Sequence, residues 1–129
     1  MPRLKRLQFW GRDVDDDDLL LQALSGQKTA TADLARDWQV PISEYDDGGY
    51  MAGDLVEVYD LRNQLRCHIR ITEVYETTFG DIPEKLWRAE VCTSAEDFRS
   101  GHRVSWSAES LTDDTRIIGC HFELVKIER

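Results

Sequence analysis

The chain has 129 residues, and 16 Lys+Arg against 25 Asp+Glu leave it a formal charge of −9 at pH 7. That length suits one domain, and a 41% hydrophobic share with four tryptophans excludes a wholly disordered chain. No apolar run approaches the ~20 residues a membrane-spanning helix needs, and the basic start Met1–Trp10 is not followed by the apolar stretch of a secretory leader. The expectation is a single domain over residues 1–129, cytoplasmic, with no membrane partner. Cys67, Cys92 and Cys120 are odd in number and widely spaced, so reduced, partly buried thiols are expected rather than a disulfide framework.

The acidity is uneven. Asp13 and Asp15 through Asp18 form one cluster, and Glu44, Asp46 and Asp47 a second. From Arg62 to Arg103 seven basic residues are balanced by seven acidic ones. A strongly acidic chain repels a polyanion at long range, and phosphate contacts need several Lys/Arg to release counterions. Duplex DNA is therefore not an expected partner, whereas a short single strand in a local basic groove, or a neutral small molecule, is.

In chain order, the Asp run reads as a helix start, because anionic side chains suit the first turn. Leu20, Ala23 and Leu24 then give an apolar face, and Gly26 a terminator, for a helix over about 16–25. Lys28–Asp33 reads as a strand with threonines on alternate positions. The stretch from Trp38 to Met51 is a loop, with Gly48-Gly49 as a hinge and Tyr45–Tyr50 as a candidate lid. Asp54–Asp60 alternates as a strand, Arg62-Asn63-Gln64 turns it, and Leu65–Tyr75 is its hairpin partner. Pro83 opens a short helix ending near Ala89. Ser94-x-x-Asp97 caps another, with Ala95, Phe98 and His102 on one face, ending near Trp106. Arg116–Ile127 closes the chain as a strand with Ile118, Cys120, Phe122 and Leu124 on one side. The order implies a small mixed α+β domain in which four or five short strands curl around a core.

The most informative stretch is Gly26-Gln27-Lys28-Thr29-Ala30-Thr31, a Gly-x-Lys-x-x-Thr signature after a helix. It is followed by Gly53-Asp54-Leu55, by Cys67 with Thr72-Glu73-Val74, and by Phe79 through Pro83. Ala89-Glu90, Ser94-x-Glu96-x-Phe98-Arg99-x-x-His102, Asp113-Asp114 and Ile117-Ile118 through Phe122 complete the set. In order and spacing, from about Trp10 to Val125, the chain resembles the ASCH-domain family of PUA-like proteins. It departs from that pattern at Arg70, where the family usually has an acidic residue, and at Gly119-Cys120-His121-Phe122. The resemblance implies a PUA-like mixed β-barrel with two to three helices and a pocket facing a nucleoside or RNA. Some members are amidohydrolases acting on N4-acylated cytidines; others are proposed ribonucleases or non-catalytic binders of single-stranded RNA, and those are the alternatives here. Carried over by position, the catalytic set is Lys28, Thr31 and Glu90, and the residues contacting substrate are Thr29, Tyr50, Arg70, Glu73, Arg99 and His102.

The chemistry of those residue types fits such a reaction. A threonine hydroxyl needs a neighbouring base to become a nucleophile, and a lysine of lowered pKa can be that base, with a glutamate orienting it or carrying the proton to the leaving amine. In a regular strand, however, positions i and i+3 face opposite sides, so Lys28 and Thr31 converge only if the backbone between them is irregular. Each residue also has a plain reading: Lys28 as a partner for the last helix carbonyls, the threonines as ordinary strand residues, Glu90 as a surface charge, His102 as a hydrogen-bonded core histidine. Trp10, Trp38, Tyr45 and Tyr50 are candidate stacking surfaces for a base. Cys67-His68 and Cys120-His121 lack zinc-ligand spacing, and neither metal nor cofactor is expected.

Overall fold

The computed structural model describes residues 3–107 and 110–128. Its elements are β1 (Lys5–Gln8), α1 (Asp18–Leu24), β2 (Ala30–Leu34), β3 (Leu55–Tyr59), β4 (Leu65–Thr78), α2 (Glu84–Ala89), α3 (Ala95–Ser105) and β5 (Arg116–Ile127), with one 3-10 turn at Ala35–Asp37. The strands form one mixed sheet in the order β1-β3-β4-β5-β2. β1 runs parallel to β3, and the other neighbours are antiparallel. The long β4 shifts register against β5 at His68/Ile69 and again at Ile71/Glu73. Such bulges bend a strand and increase its twist, and the sheet curls into a half-barrel whose two edges are β1 and β2.

Val56, Val58, Cys67, Ile69, Ile71, Cys120 and Phe122 fill the concave side together with Leu20 and Ala23 of α1. The Ile118–Leu124 alternation predicted for β5 faces this core. On the other side, Phe98 of α3 and Leu86 of α2 pack with Ala30 and Ile82. Phe98 is fully buried, and burial of such a ring contributes about 1.5–3 kcal/mol. Ser94 Oγ accepts the Asp97 N–H at 3.0 Å, as the cap motif requires.

The structure departs from the sequence reading at the N-terminus. β1 lies where only a basic start was read, because four residues are too few for a periodic signal. α1 begins at Asp18 rather than near residue 16. Asp16 instead accepts the N–H groups of Arg12 (2.9 Å) and Asp18 (3.2 Å) in the preceding turn, the local side-chain bonding by which Asp competes with helix. The Tyr45–Tyr50 segment is strapped down rather than hinged. Asp47 takes the Arg6 N–H at 2.7 Å and an Arg3 ion pair at 2.8 Å, while Tyr50 is buried edge-on against Trp38.

Candidate functional site

The link from α1 to β2 decides where Lys28 goes. Gly26 leaves the helix at φ +83°, a conformation glycine adopts without a Cβ penalty. The Lys28 N–H then donates to the Gln22 carbonyl (3.0 Å), and the Thr29 N–H to the Ala89 carbonyl (2.8 Å). Pleated backbone begins only at Ala30, so Lys28 lies outside the strand alternation that would have sent it away from Thr31. Its side chain is 1% exposed, with Nζ 3.0 Å from Glu90 Oε1 and 5.5 Å from the centre of the Phe9 ring.

Glu90 is placed by the end of α2. It is the C-cap residue, and Val91 after it has φ +62°. A β-branched side chain there is strained, at a cost of about 1–2 kcal/mol. The Glu90 side chain is 7% exposed. Burial alone pushes its carboxyl up, but the Lys28 ammonium and the His102 ring outweigh that and bring it down to about 2. Oε2 has no hydrogen bond among the described residues and lies 3.5 Å from His102 Nε2. The imidazole is held from both sides: Nδ1 donates to the Phe98 carbonyl at 2.8 Å, and the ring stacks on Phe98 with centroids 3.9 Å apart and leans on Trp106 at 4.6 Å.

These groups border a cavity of about 850 Å³. It occupies the opening of the half-barrel: Leu7 through Phe9 and Thr31 through Leu34, from the two edges, both line it, and α3 contributes His102 and Trp106. Trp10 and Trp38 line it as well; Trp10 is 43% exposed, whereas Trp38 is buried. Tyr45 does not line it and packs instead against Tyr59. A smaller hollow of about 400 Å³ beside Leu34 and Leu111 has none of the sequence-predicted site residues in its wall.

Of those residues, Thr31, Glu90, Tyr50 and His102 line the main cavity. Lys28 does not; it lies behind Glu90 as its counter-ion. Thr29, Arg70, Glu73 and Arg99 are also absent from the wall. Thr29 is tied through its backbone to Ala89 and Phe122. Arg70 is exposed on β4 beside Glu123 (4.0 Å), Glu73 pairs with Lys85 (2.7 Å), and Arg99 pairs with Glu96 (3.0 Å). A resemblance carries residue identity but not the direction in which a strand or helix face points, and the structure does not bring these four to the cavity wall.

Sequence reasoning missed Asp33 and Asp46. Burial pushes both carboxyls up to about 6. Asp33 accepts the Leu34 N–H at 2.8 Å, and Asp46 Oδ1 lies 2.9 Å from the Tyr50 hydroxyl, which also donates to the Arg6 carbonyl at 2.6 Å. The i, i+2 relation between Thr31 and Asp33 was the available signal for the first; Asp46 had none beyond its acidic cluster. Among the described residues no group of three His, Cys, Asp or Glu is arranged to hold a metal ion.

The ASCH domain model matches residues 5–126. No curated protein matches at a significant level. Among solved structures, the chain is similar to a protein from Enterococcus faecalis V583 (family model DUF984) with 18% identity, 98% of this chain and 80% of that one covered, and a TM-score of 0.75. It is similar to the ASCH domain from Lactobacillus crispatus JV V101 with 19% identity, 95% and 82% covered, and a TM-score of 0.75. A mutant ASCH protein from Zymomonas mobilis is more distant, at 9% identity, 95% and 71% covered, and a TM-score of 0.54. At these identities the likeness establishes the fold.

Proposed function

Because this chain belongs to the ASCH-domain family, whose model spans nearly all of it, we propose that its cavity binds a nucleoside and hydrolyses the acyl amide of an N4-acylated cytidine. The observation that carries this reading is the buried Lys28–Glu90 pair. One carboxylate oxygen is fixed by the ammonium at 3.0 Å, the other has no hydrogen bond, and the side chain lines the same cavity as the Thr31 hydroxyl.

In the proposed reaction the Thr31 oxygen attacks the acyl carbonyl carbon while its proton passes to Glu90 Oε2. The C–N bond then breaks, that proton goes to the exocyclic nitrogen, and cytidine leaves with its amino group free. The acyl group remains as an ester on Thr31. Water attacks the ester, again losing its proton to Oε2, and the returning proton restores the threonine as the carboxylic acid departs. Lys28 is a positioning residue in this scheme: it keeps a buried carboxylate ionised and fixes one of its oxygens. His102, with Nδ1 committed to a carbonyl, presents Nε2 toward Oε2 and shares the proton held there.

The RNA-binding and ribonuclease alternatives both call for cations along the ligand's path. Neither Lys nor Arg occurs in the cavity wall among the described residues. Arg88 is paired with Glu84, and Arg99 and Arg103 with Glu96. That distribution supports a small, weakly charged substrate. The test is acetate release from N4-acetylcytidine by the intact protein. Turnover is expected, with a loss of about 10²-fold or more in Glu90→Gln; no release by the wild-type protein contradicts the proposal.

A further inference from the structure

The charged groups in the cavity wall are distributed unequally. Glu90 is neutralised from behind by Lys28. Asp33, Asp37 and Asp46 also line the cavity; Asp37 is paired with Arg36 at 3.9 Å, and no Lys or Arg is part of the wall itself among the described residues. Asp33 and Asp46 are close enough for the charge of Asp33 to act on Asp46, and burial with that repulsion raises the Asp46 carboxyl to about 6. Both are therefore largely anionic at pH 7. The guanidinium of Arg6, whose carbonyl takes a bond from the Tyr50 hydroxyl beside Asp46, is engaged elsewhere, lying over the Tyr45 and Tyr59 rings and beside Glu57 at 3.8 Å. On the same wall Glu90 Oε2, on a side chain only 7% exposed, has no hydrogen bond among the described residues and faces His102 Nε2 at 3.5 Å.

We propose that Asp33 and Asp46 form an acceptor subsite that takes hydrogen-bond donors of an unphosphorylated ligand, sugar hydroxyls in the case of a nucleoside, and rejects a phosphate group. The inference deepens the proposed function and rests on it for the identity of the ligand. The physical basis is Coulombic. A carboxylate accepts from hydroxyls and has nothing to donate. A phosphate brought into the same partly enclosed space meets like charges at reduced dielectric, where each is felt far more strongly than in water. The apolar and aromatic wall formed by Phe9, Trp10, Trp38 and Trp106 offers stacking area and no compensating charge. Selectivity of this kind works by repulsion of the wrong ligand as much as by attraction of the right one.

The test is calorimetric titration of the intact protein with N4-acetylcytidine and with its 5′-monophosphate, at low and at high salt, alongside acetate release. The nucleoside is expected to bind at least about 10-fold more tightly than the monophosphate. Asp33→Asn, which keeps an acceptor for the Leu34 N–H, is expected to narrow that ratio several-fold, and Asp46→Asn to do the same. Raising the salt concentration is expected to strengthen monophosphate binding to the wild-type protein, because screening relieves the repulsion. A merely structural role for the two aspartates would not produce that sign. Equal or tighter binding of the monophosphate, or weakening with salt, overturns the inference, and acetate release from the nucleoside then leaves the hydrolase reading standing. Discrimination between the ligands without any acetate release does the reverse. Binding of neither ligand overturns the inference.

Discussion

Lys28→Met removes the charge and preserves most of the volume of a side chain that is 1% exposed. Breaking a buried ion pair by deleting one partner costs about 3–5 kcal/mol, because the remaining charge is left uncompensated. In the same direction, the Lys28 ammonium, together with the His102 ring, holds the Glu90 carboxyl well below the usual glutamate range in spite of its burial, and the lost contact with Phe9 adds up to about 1 kcal/mol. For a chain of this length that corresponds to a fall in Tm of roughly 10–20 °C. Urea unfolding at pH 7 measures it. The linkage supplies a second signature: a carboxyl whose pKa is depressed by folding contributes stability present above about pH 4.5 and lost as pH falls toward 2. The wild-type protein carries that acid-side loss, and Lys28→Met does not. Lys28→Met with Glu90→Gln is expected to recover most of the stability, since the stranded charge goes with its partner. A cost below about 1 kcal/mol for Lys28→Met, with an unchanged acid limb, would refute the account of a buried, mutually dependent pair.

Asp33 carries the opposite sign. Burial raises its carboxyl to about 6, so its contribution to stability is present below about pH 4 and lost as pH rises through 6. Urea midpoints across pH 4–8 should show the wild-type protein losing ground to Asp33→Asn over that interval; parallel profiles contradict the assignment. Gly119→Ala places a Cβ 2.8 Å from the Tyr75 ring, whose hydroxyl is held by His121 at 2.8 Å. A loss of about 1–3 kcal/mol in urea unfolding is expected. Val91→Gly relieves the φ +62° strain beside Glu90 and is expected to stabilise by up to about 1 kcal/mol, after the entropic cost of glycine; destabilisation would show that the Val91 side chain matters more than its backbone.

The parts of the fold legible in the sequence are those with a local signature. Alternation marked β3 and β5, the Ser94/Asp97 cap marked α3, and Gly26 marked the end of α1. β1 carried no such mark, since it exists through parallel pairing with β3, a contact about 50 residues distant that four residues do not announce. The site divides along the same line. Lys28, Thr31 and Glu90 were singled out through the order of motifs; the structure brings Thr31 and Glu90 to the cavity wall and sets Lys28 behind Glu90. The inward aim of Asp33 and Asp46 depends on how the sheet curls until its edges face each other, and that curvature comes from bulges in β4. In the proposed reaction the roles differ from the sequence reading: the lysine was expected as the base, and the carboxylate, which lines the wall with the lysine behind it, takes that part.

The central claim is that an acyl group passes to the Thr31 hydroxyl, with Glu90 taking the proton. Intact-protein and peptide mass spectrometry on samples quenched during turnover of N4-acetylcytidine tests it most directly. The account predicts an added acetyl group located on Thr31, absent from Thr31→Val, together with loss of acetate release in that variant. An acetyl group found on another residue, or undiminished release by Thr31→Val, would contradict it.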